Sequence, residues 1–513
     1  MSYLVCFLDP TELRLKIRPS SETLGDQPPS GAPTSWAPTC HQCEREQLTP
    51  RPPAGHRLAN QCEREQPTPY SLPCPDPQVL SARFHMSPPN MPKPMTDPRK
   101  LTGPLRRSSR ATDLLDLHRQ HSRSFNHVNL ATCWSRLGNV SPPERGWLQS
   151  DDGARLLALA DQTSRQVRAF NSRSVALTAH ALANLAPSKS VKHLWTDLEG
   201  VALARKGDFK PKELADTAWA LATAGRTAPK LFVAIAFEVA RHVRAFNPQG
   251  LATIAWAFAT AGHTATALFD AIAAETTRRV RKFSPQELAS TAWAFAIAGH
   301  AAPALFDAIA AKAARRVRNF KPQDLANTAW AFATADHAAP ALFDAIAAEA
   351  VRRVGAFIPQ ELAKTAWAFA TAGHAAPVLF DEIGAEAAWC VRDFKSQDLA
   401  NTAWALAAAN HLPVVSTLFD QRCALRCEAL ANEFSREELC QLHEWRLWYE
   451  GERGCSDALP GAKLLARCAS AWVRVNPRPY GTQTLELGTR LSSAASSEKS
   501  WSFRLLPPPE EAA

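Results

Sequence analysis

Six tryptophans stand at a constant step of 37 residues, Trp219, Trp256, Trp293, Trp330, Trp367 and Trp404, and six phenylalanines keep that step at Phe209, Phe246, Phe283, Phe320, Phe357 and Phe394. A fixed period between about 20 and 50 residues marks a supersecondary unit too small to bury its own apolar face, which it therefore buries against its neighbours in a stack. Two looser units precede the strict six, with Phe170 and His180 in one and Phe125 and Trp134 in the other, and a partial unit runs from Phe434 through Leu439 to Trp445.

Each unit reads as two helices. In the unit that opens at Phe283, Ser284-Pro285-Gln286-Glu287 places Ser at the N-cap, Pro at the first helical position and Glu three residues after the cap, which is a capping box with the favoured proline. Helix A then runs through Leu288, Trp293 and Phe295 to Gly299, a residue free to take the left-handed turn that ends a helix. Pro303 opens helix B, which continues through Leu305, Phe306, Ile309 and Val317 and closes with Arg315, Arg316 and Arg318, cations that complement the dipole of a final turn.

A helical wheel leaves helix A only a narrow polar strip, holding Gln286, Glu287 and Ser290. A helix apolar around most of its circumference packs on several sides, and the abundant alanine permits close approach; the strip would line the concave surface. Across units, the residue three before the Trp is Asp216, Thr253, Ser290, Asn327, Lys364 and Asn401, polar and mostly different. Seven before the Trp stands Lys212, then Gln249, Gln286, Gln323, Gln360 and Gln397. One varying polar group per unit beside a constant amide suits a modular reader of a linear polymer, because Asn and Gln pair bidentately with base edges and Ser, Thr, Asp and Lys donate or accept selectively. A solvated face that drifts freely is the competing explanation, though it leaves the constancy of the Gln column unaccounted for.

Three further columns have two readings each. The Trp column would stack on bases or pack unit against unit. His263, His300, His337, His374 and His411 recur after helix A; helices about 8–10 Å apart hold them too far apart to share a zinc ion, so a turn or capping role is expected. Arg241, Arg244, Arg278, Arg279, Arg281, Arg315, Arg316, Arg318, Arg352, Arg353 and Arg392 cluster at the end of helix B. They would hold phosphates, with Arg244, Arg281 and Arg318 as the candidates, or simply compensate the helix dipole.

Outside the array the chain changes character. Residues 1–100 carry 19 of the 39 prolines, so a disordered arm is expected over residues 1–110. It contains a duplicated Gln-Cys-Glu-Arg-Glu-Gln at 42–47 and 61–66 and one Cys40-x-x-Cys43 pair; without a second spaced pair no metal site is expected. The start lacks a secretory pattern, and the Arg- and Ser-rich stretch at 99–126 lies far from the N-terminus, leaving targeting unresolved. Twelve scattered cysteines suit free thiols, no apolar run is long enough to span a bilayer, and a net charge of +9 is compatible with an anionic partner without identifying one.

The motif Phe-x-Pro-Gln-Glu/Asp-Leu-Ala-x-Thr-Ala-Trp-Ala-Phe-Ala-Thr-Ala-Gly-His, best seen from Phe283 to His300 and Phe357 to His374, resembles the octotricopeptide repeat. The resemblance covers about residues 125–433 and extends to FAST-kinase-like and RAP-domain proteins and to helical-repeat subunits of mitochondrial RNA-editing complexes. It implies binding of single-stranded organellar RNA, in mitochondrion or plastid, and action on its processing, stability or translation. Glu437 to Trp448 with Leu459-Pro460 resembles the segment before a RAP domain, but after Tyr480 only 33 residues follow, with no acidic cluster placed as a nuclease metal site.

The expectation is therefore an all-α, right-handed α-solenoid of about eight hairpins. Its parts are an arm at 1–110, degenerate repeats at 111–208, regular repeats at 209–433, a cap at 434–480 and a disordered tail at 481–513. It would bind single-stranded RNA over about six to eight nucleotides, at one base per unit, without catalysis, cofactor, metal or membrane contact, beside other proteins of an RNA-processing complex. An armadillo-like protein scaffold is the alternative.

Overall fold

The computed structural model describes residues 97–150, 153–185, 191–411, 418, 421–453 and 461–475; the Cys40–Cys43 pair and the segments 1–96 and 476–513 lie outside them. All regular structure among the described residues is helical. The leading helices are α1 (Pro98–Arg107), α2 (Ala111–His121), α3 (His127–Leu137), α4 (Pro142–Ser150), α5 (Gly153–Gln166), α6 (Ser172–Leu185) and α7 (Lys192–Ala204). The strict units are α8 (Pro211–Thr223) with α9 (Pro229–His242), α10 (Pro248–Thr260) with α11 (Thr266–Arg279), α12 (Pro285–Ala298) with α13 (Pro303–Arg316), α14 (Pro322–Thr334) with α15 (Pro340–Arg352), α16 (Pro359–Thr371) with α17 (Pro377–Trp389), and α18 (Ser396–Ala408) with α19 (Gln421–Ala429). A cap of α20 (Arg436–Arg453) and α21 (Ala462–Val475) follows.

Helix ends obey the local chemistry of the repeat. Glu287 Oε2 accepts from the Ser284 N–H at 2.7 Å while the Glu287 N–H donates to Ser284 Oγ at 3.4 Å. Where the N-cap is Lys210, Ile358 or Lys395, the carboxylate half of the box persists through Glu213, Glu361 and Asp398. Gly299 ends α12 in the left-handed region at φ +59°, and the His300 N–H then donates to Phe295 O at 3.1 Å. Asp336 and Asn410 take φ +50° at the same register. Helix B stops at Arg316, and Arg318 belongs to a three-residue 3-10 turn, Val317–Asn319, which recurs before each strict helix A.

Two layers result. Helices α3, α6, α8, α10, α12, α14, α16, α18 and α20 pack in succession, closed by α1 and α21, while α2, α5, α7, α9, α11, α13, α15 and α17 form the other layer. The first layer is much the more closely spaced, because alanine dominates its facing surfaces. Ala255, Ala292, Ala329, Ala366 and Ala403 are wholly buried. Closer spacing in one layer puts it on the inside of any curvature. Buried Thr291, Thr328, Thr365 and Thr402 sit in that layer, each hydroxyl satisfied by the carbonyl four residues back at 2.7–2.8 Å. Helix B meets the next helix A through edge-to-face rings, as in Phe269–Phe295 at 5.0 Å and 85°. The helix α1 falls inside the stretch expected to be an arm: Leu101 and Leu105 are fully buried there, and α1 packs on α3.

Candidate nucleic-acid interface

One edge of the inner layer gathers the N-termini of the A helices and the 3-10 turns before them. Gln249, Gln286, Gln323 and Gln360 are exposed there at the second helical position, and Gln397 is half-buried. The varying residues follow one helical turn later and are less accessible: Asp216, Thr253, Ser290, Lys364 and Asn401 are half-buried and Asn327 is 5% exposed. They lie in the seams between neighbouring A helices. Lys364 Nζ donates to Asn327 Oδ1 at 3.0 Å from α16 to α14, and Gln441 Nε2 donates to Asn401 Oδ1 at 3.1 Å from α20 to α18. Within α8, Lys212 pairs with Asp216 at 2.7 Å.

A notch of about 20 Å³, lined by Gln323, Asn327, Gln360, Glu361 and Lys364 among others, opens between α14 and α16. Burial lowers the Lys364 ammonium to about 8, against the pull of Glu361 and Asp398, and burial also raises the Glu361 carboxyl. Within the varying column Asn327 and Lys364 are thus coupled across neighbouring units and act as one group. A wheel drawn for an isolated helix cannot show this, because the partner lies a full repeat away.

The tryptophans pack. Trp256, Trp293 and Trp330 are at most 8% exposed, and the rings from Trp256 to Trp404 follow one another at centroid distances of 6.2–6.5 Å and interplanar angles of 26–31°. His180 stacks on Trp219 at 4.6 Å at the head of this column. Of the two readings of the Trp repeat, the inter-unit one describes its place.

The histidines join units through side chains as well as turns. His300, His337, His374 and His411 meet Asp270, Asp307, Asp344 and Asp381 of the preceding helix B at 2.8–2.9 Å. For His263 the residue at that register is Val233, and the ring bonds Thr227 O instead, at 3.0 Å. The turn role expected from sequence holds for the backbone; the staple to an Asp 30 residues upstream was not legible because nothing local couples the two columns.

Packing also sorts the arginines. Arg279 and Arg353 reach back to Phe246 O and Phe320 O at 2.8 and 2.7 Å while pairing with Glu275 and Glu349, which Arg278 and Arg352 also hold. Lys312, at the register of those glutamates, donates to Val280 O, Arg281 O and Phe283 O. By contrast Arg244, Arg281, Arg318 and Arg392 project from the turns, exposed, and their side chains make no hydrogen bond or ion pair among the described residues. They sit beside the exposed Gln column, so the edge combines free cations with amides.

Two departures escaped the sequence reading. Val233 and Phe237 on α9, 69% and 59% exposed, replace the Asp and Ala of later units, with Arg241 over the Phe237 ring at 5.5 Å. Trp389, 83% exposed, stands in the column of Arg278, Arg315 and Arg352. Comparing the helix B columns residue by residue would have found both. No cluster among the described residues has the makings of a metal site, and no described helix is long and apolar enough to cross a membrane.

Residues 146–446 match the family model described as RNA-editing substrate-binding complex 6 protein. No curated protein matches the chain.

Proposed function

This chain belongs to the RNA-editing substrate-binding complex 6 protein family, whose model spans more than half of it, and from that premise we propose that its helix A edge binds single-stranded RNA selectively and without catalysis. The observation that carries the reading is the division of the arginines: Arg278, Arg279, Arg352 and Arg353 at the end of helix B are held by buried glutamates, whereas the turn arginines Arg244, Arg281, Arg318 and Arg392 are left to solvent in register, as are Arg241, Arg315 and Arg316 beside them. Cations so spaced would hold successive phosphates, which fix position without reading sequence. The exposed Gln249, Gln286, Gln323 and Gln360 would meet base edges. Asp216, Thr253, Ser290, Asn327, Lys364 and Asn401 would tune selectivity from the seams, as pairs where they are bonded. A footprint of about six to eight nucleotides follows at one per unit. The RNA would be an editing substrate, and the reading extends to an organellar setting, with the mitochondrion favoured over the plastid by membership of an RNA-editing family.

A second reading, a protein contact within the same complex, is favoured by the Val233–Phe237 face on α9, since large apolar groups in register on an outer helix have no packing role there. The test is fluorescence anisotropy with a short labelled RNA. A chain carrying Arg244→Glu, Arg281→Glu and Arg318→Glu should lose most of its affinity while keeping its helical content. Unchanged affinity would reject the phosphate edge.

A further inference from the structure

The repeat is broken at one place where three cations disappear together. In α11 and α15 a buried glutamate is clamped by two arginines, Glu275 by Arg278 and Arg279 and Glu349 by Arg352 and Arg353, at 2.5–2.7 Å. Hydrogen bonds from Arg278 and Arg352 hold these carboxyls below their ordinary range, and the turn arginines Arg244 and Arg318 of the preceding unit add to the effect. At the same register α17 carries Glu386 and Trp389, Cys390 follows as its C-cap, and the turn on which α17 packs carries Gly355.

The consequences are local and specific. Glu386 makes no ion pair among the described residues, and its Oε2 lies 3.8 Å from where a Cβ on Gly355 would stand. Trp389 is 83% exposed, a placement that leaves the largest apolar side chain in water. A spacing of three residues puts Trp389 on the same helix face as Glu386, where Arg278 and Arg352 cover their glutamates. Three residues further on, Arg392 projects exposed from the turn Val391–Asp393. The gap in the cation row therefore offers an aromatic plane, an unpaired carboxylate and a flanking cation.

A bare carboxylate repels phosphate, so the gap cannot continue the row; it suits a ring that stacks and donates. Resting on the RNA reading above, we propose that Trp389 and Glu386 form a guanine site, with the base stacked on the indole and its N1–H and N2 amino group donating to the two carboxylate oxygens. Guanine is the base whose pairing edge presents two adjacent donors; adenine and cytosine present one amino group and uracil one N–H. Arg392 holds the phosphate beside it.

The test uses the full chain and short labelled RNAs, one of A and U alone and a set in which a single G is moved stepwise. Wild type should favour G at one position by about tenfold. Trp389→Ala should weaken binding by about tenfold and Trp389→Phe by much less. Glu386→Gln should remove the G preference. Trp389→Arg restores the column of the other units, so it should keep or raise the melting temperature while abolishing the G preference, which separates the site from the fold. Wild-type affinity and selectivity in these variants, with Arg281→Glu still weakening RNA binding, would overturn the site and leave the RNA reading standing. A chain that binds none of the RNAs would overturn both. An oligo-arginine peptide that binds wild type but neither variant, with RNA binding unmoved, would overturn the guanine site in favour of a basic protein segment.

Discussion

Replacing Trp330 by Ala should do more than open a hole. The indole is 6% exposed and stacks on Trp293 at 6.4 Å and on Trp367 at 6.2 Å, so its removal strikes two unit interfaces at once. Truncating a buried Trp costs about 3–5 kcal/mol, and with two ring contacts that are each worth about 0.5–1.5 kcal/mol beyond their area we expect the upper end of that range. In a repeat array the stability is a sum of unit and nearest-neighbour terms, so a loss of this size at the middle uncouples the units before α14 from those after it. Urea unfolding followed by far-UV circular dichroism should change from one transition to two. Amide exchange should accelerate in α14 and α16 ahead of α10. RNA affinity measured well below the first transition should stay within about twofold, because a buried stacking column touches no base. A single transition shifted by less than about 1 kcal/mol, or a large loss of RNA affinity without loss of stability, would refute the packing role.

Other outcomes follow from individual contacts. A double-mutant cycle of His337→Ala with Asp307→Ala should give a coupling of about 0.5–1 kcal/mol, since Asp307 is largely exposed; no coupling would remove the staple. Asp336→Gly should stabilise by about 0.5–1 kcal/mol in a thermal melt, because Asp336 holds φ +50° where Gly225, Gly262, Gly299 and Gly373 stand in other units. Lys364 is held near 8 in the fold against an ordinary 10.5. Between those values the unfolded chain binds the extra proton, so stability should rise with pH from about 8 to 10.5. Lys364→Met should flatten that rise and add stability at pH 7, and identical pH profiles for the two chains would show that the ammonium is not buried.

The fold was legible because its determinants are local and repeated. Ser284, Pro285, Glu287 and Gly299 mark the bounds of helix A within one unit, and the alanine faces foretell close stacking. What the sequence could not show depends on residues about one repeat apart. His337 finds Asp307, Arg353 finds Phe320 O, and Lys364 finds Asn327 only once the stack exists. The wheel set the varying residues on an open strip because it lacks neighbours; in the stack the adjoining helix closes over that strip and leaves Gln286 and its counterparts outermost. The arginines looked equivalent for the same reason, until packing consumed Arg279 and spared Arg281.

The central claim is most directly tested by the salt dependence of affinity for a short single-stranded RNA. If Arg244, Arg281, Arg318 and Arg392 each hold a phosphate, log affinity should fall with log salt at a slope of about −3, and the triple glutamate variant at 244, 281 and 318 should flatten it by about two. A slope near zero, or one that the variant leaves unchanged, would contradict RNA binding at this edge.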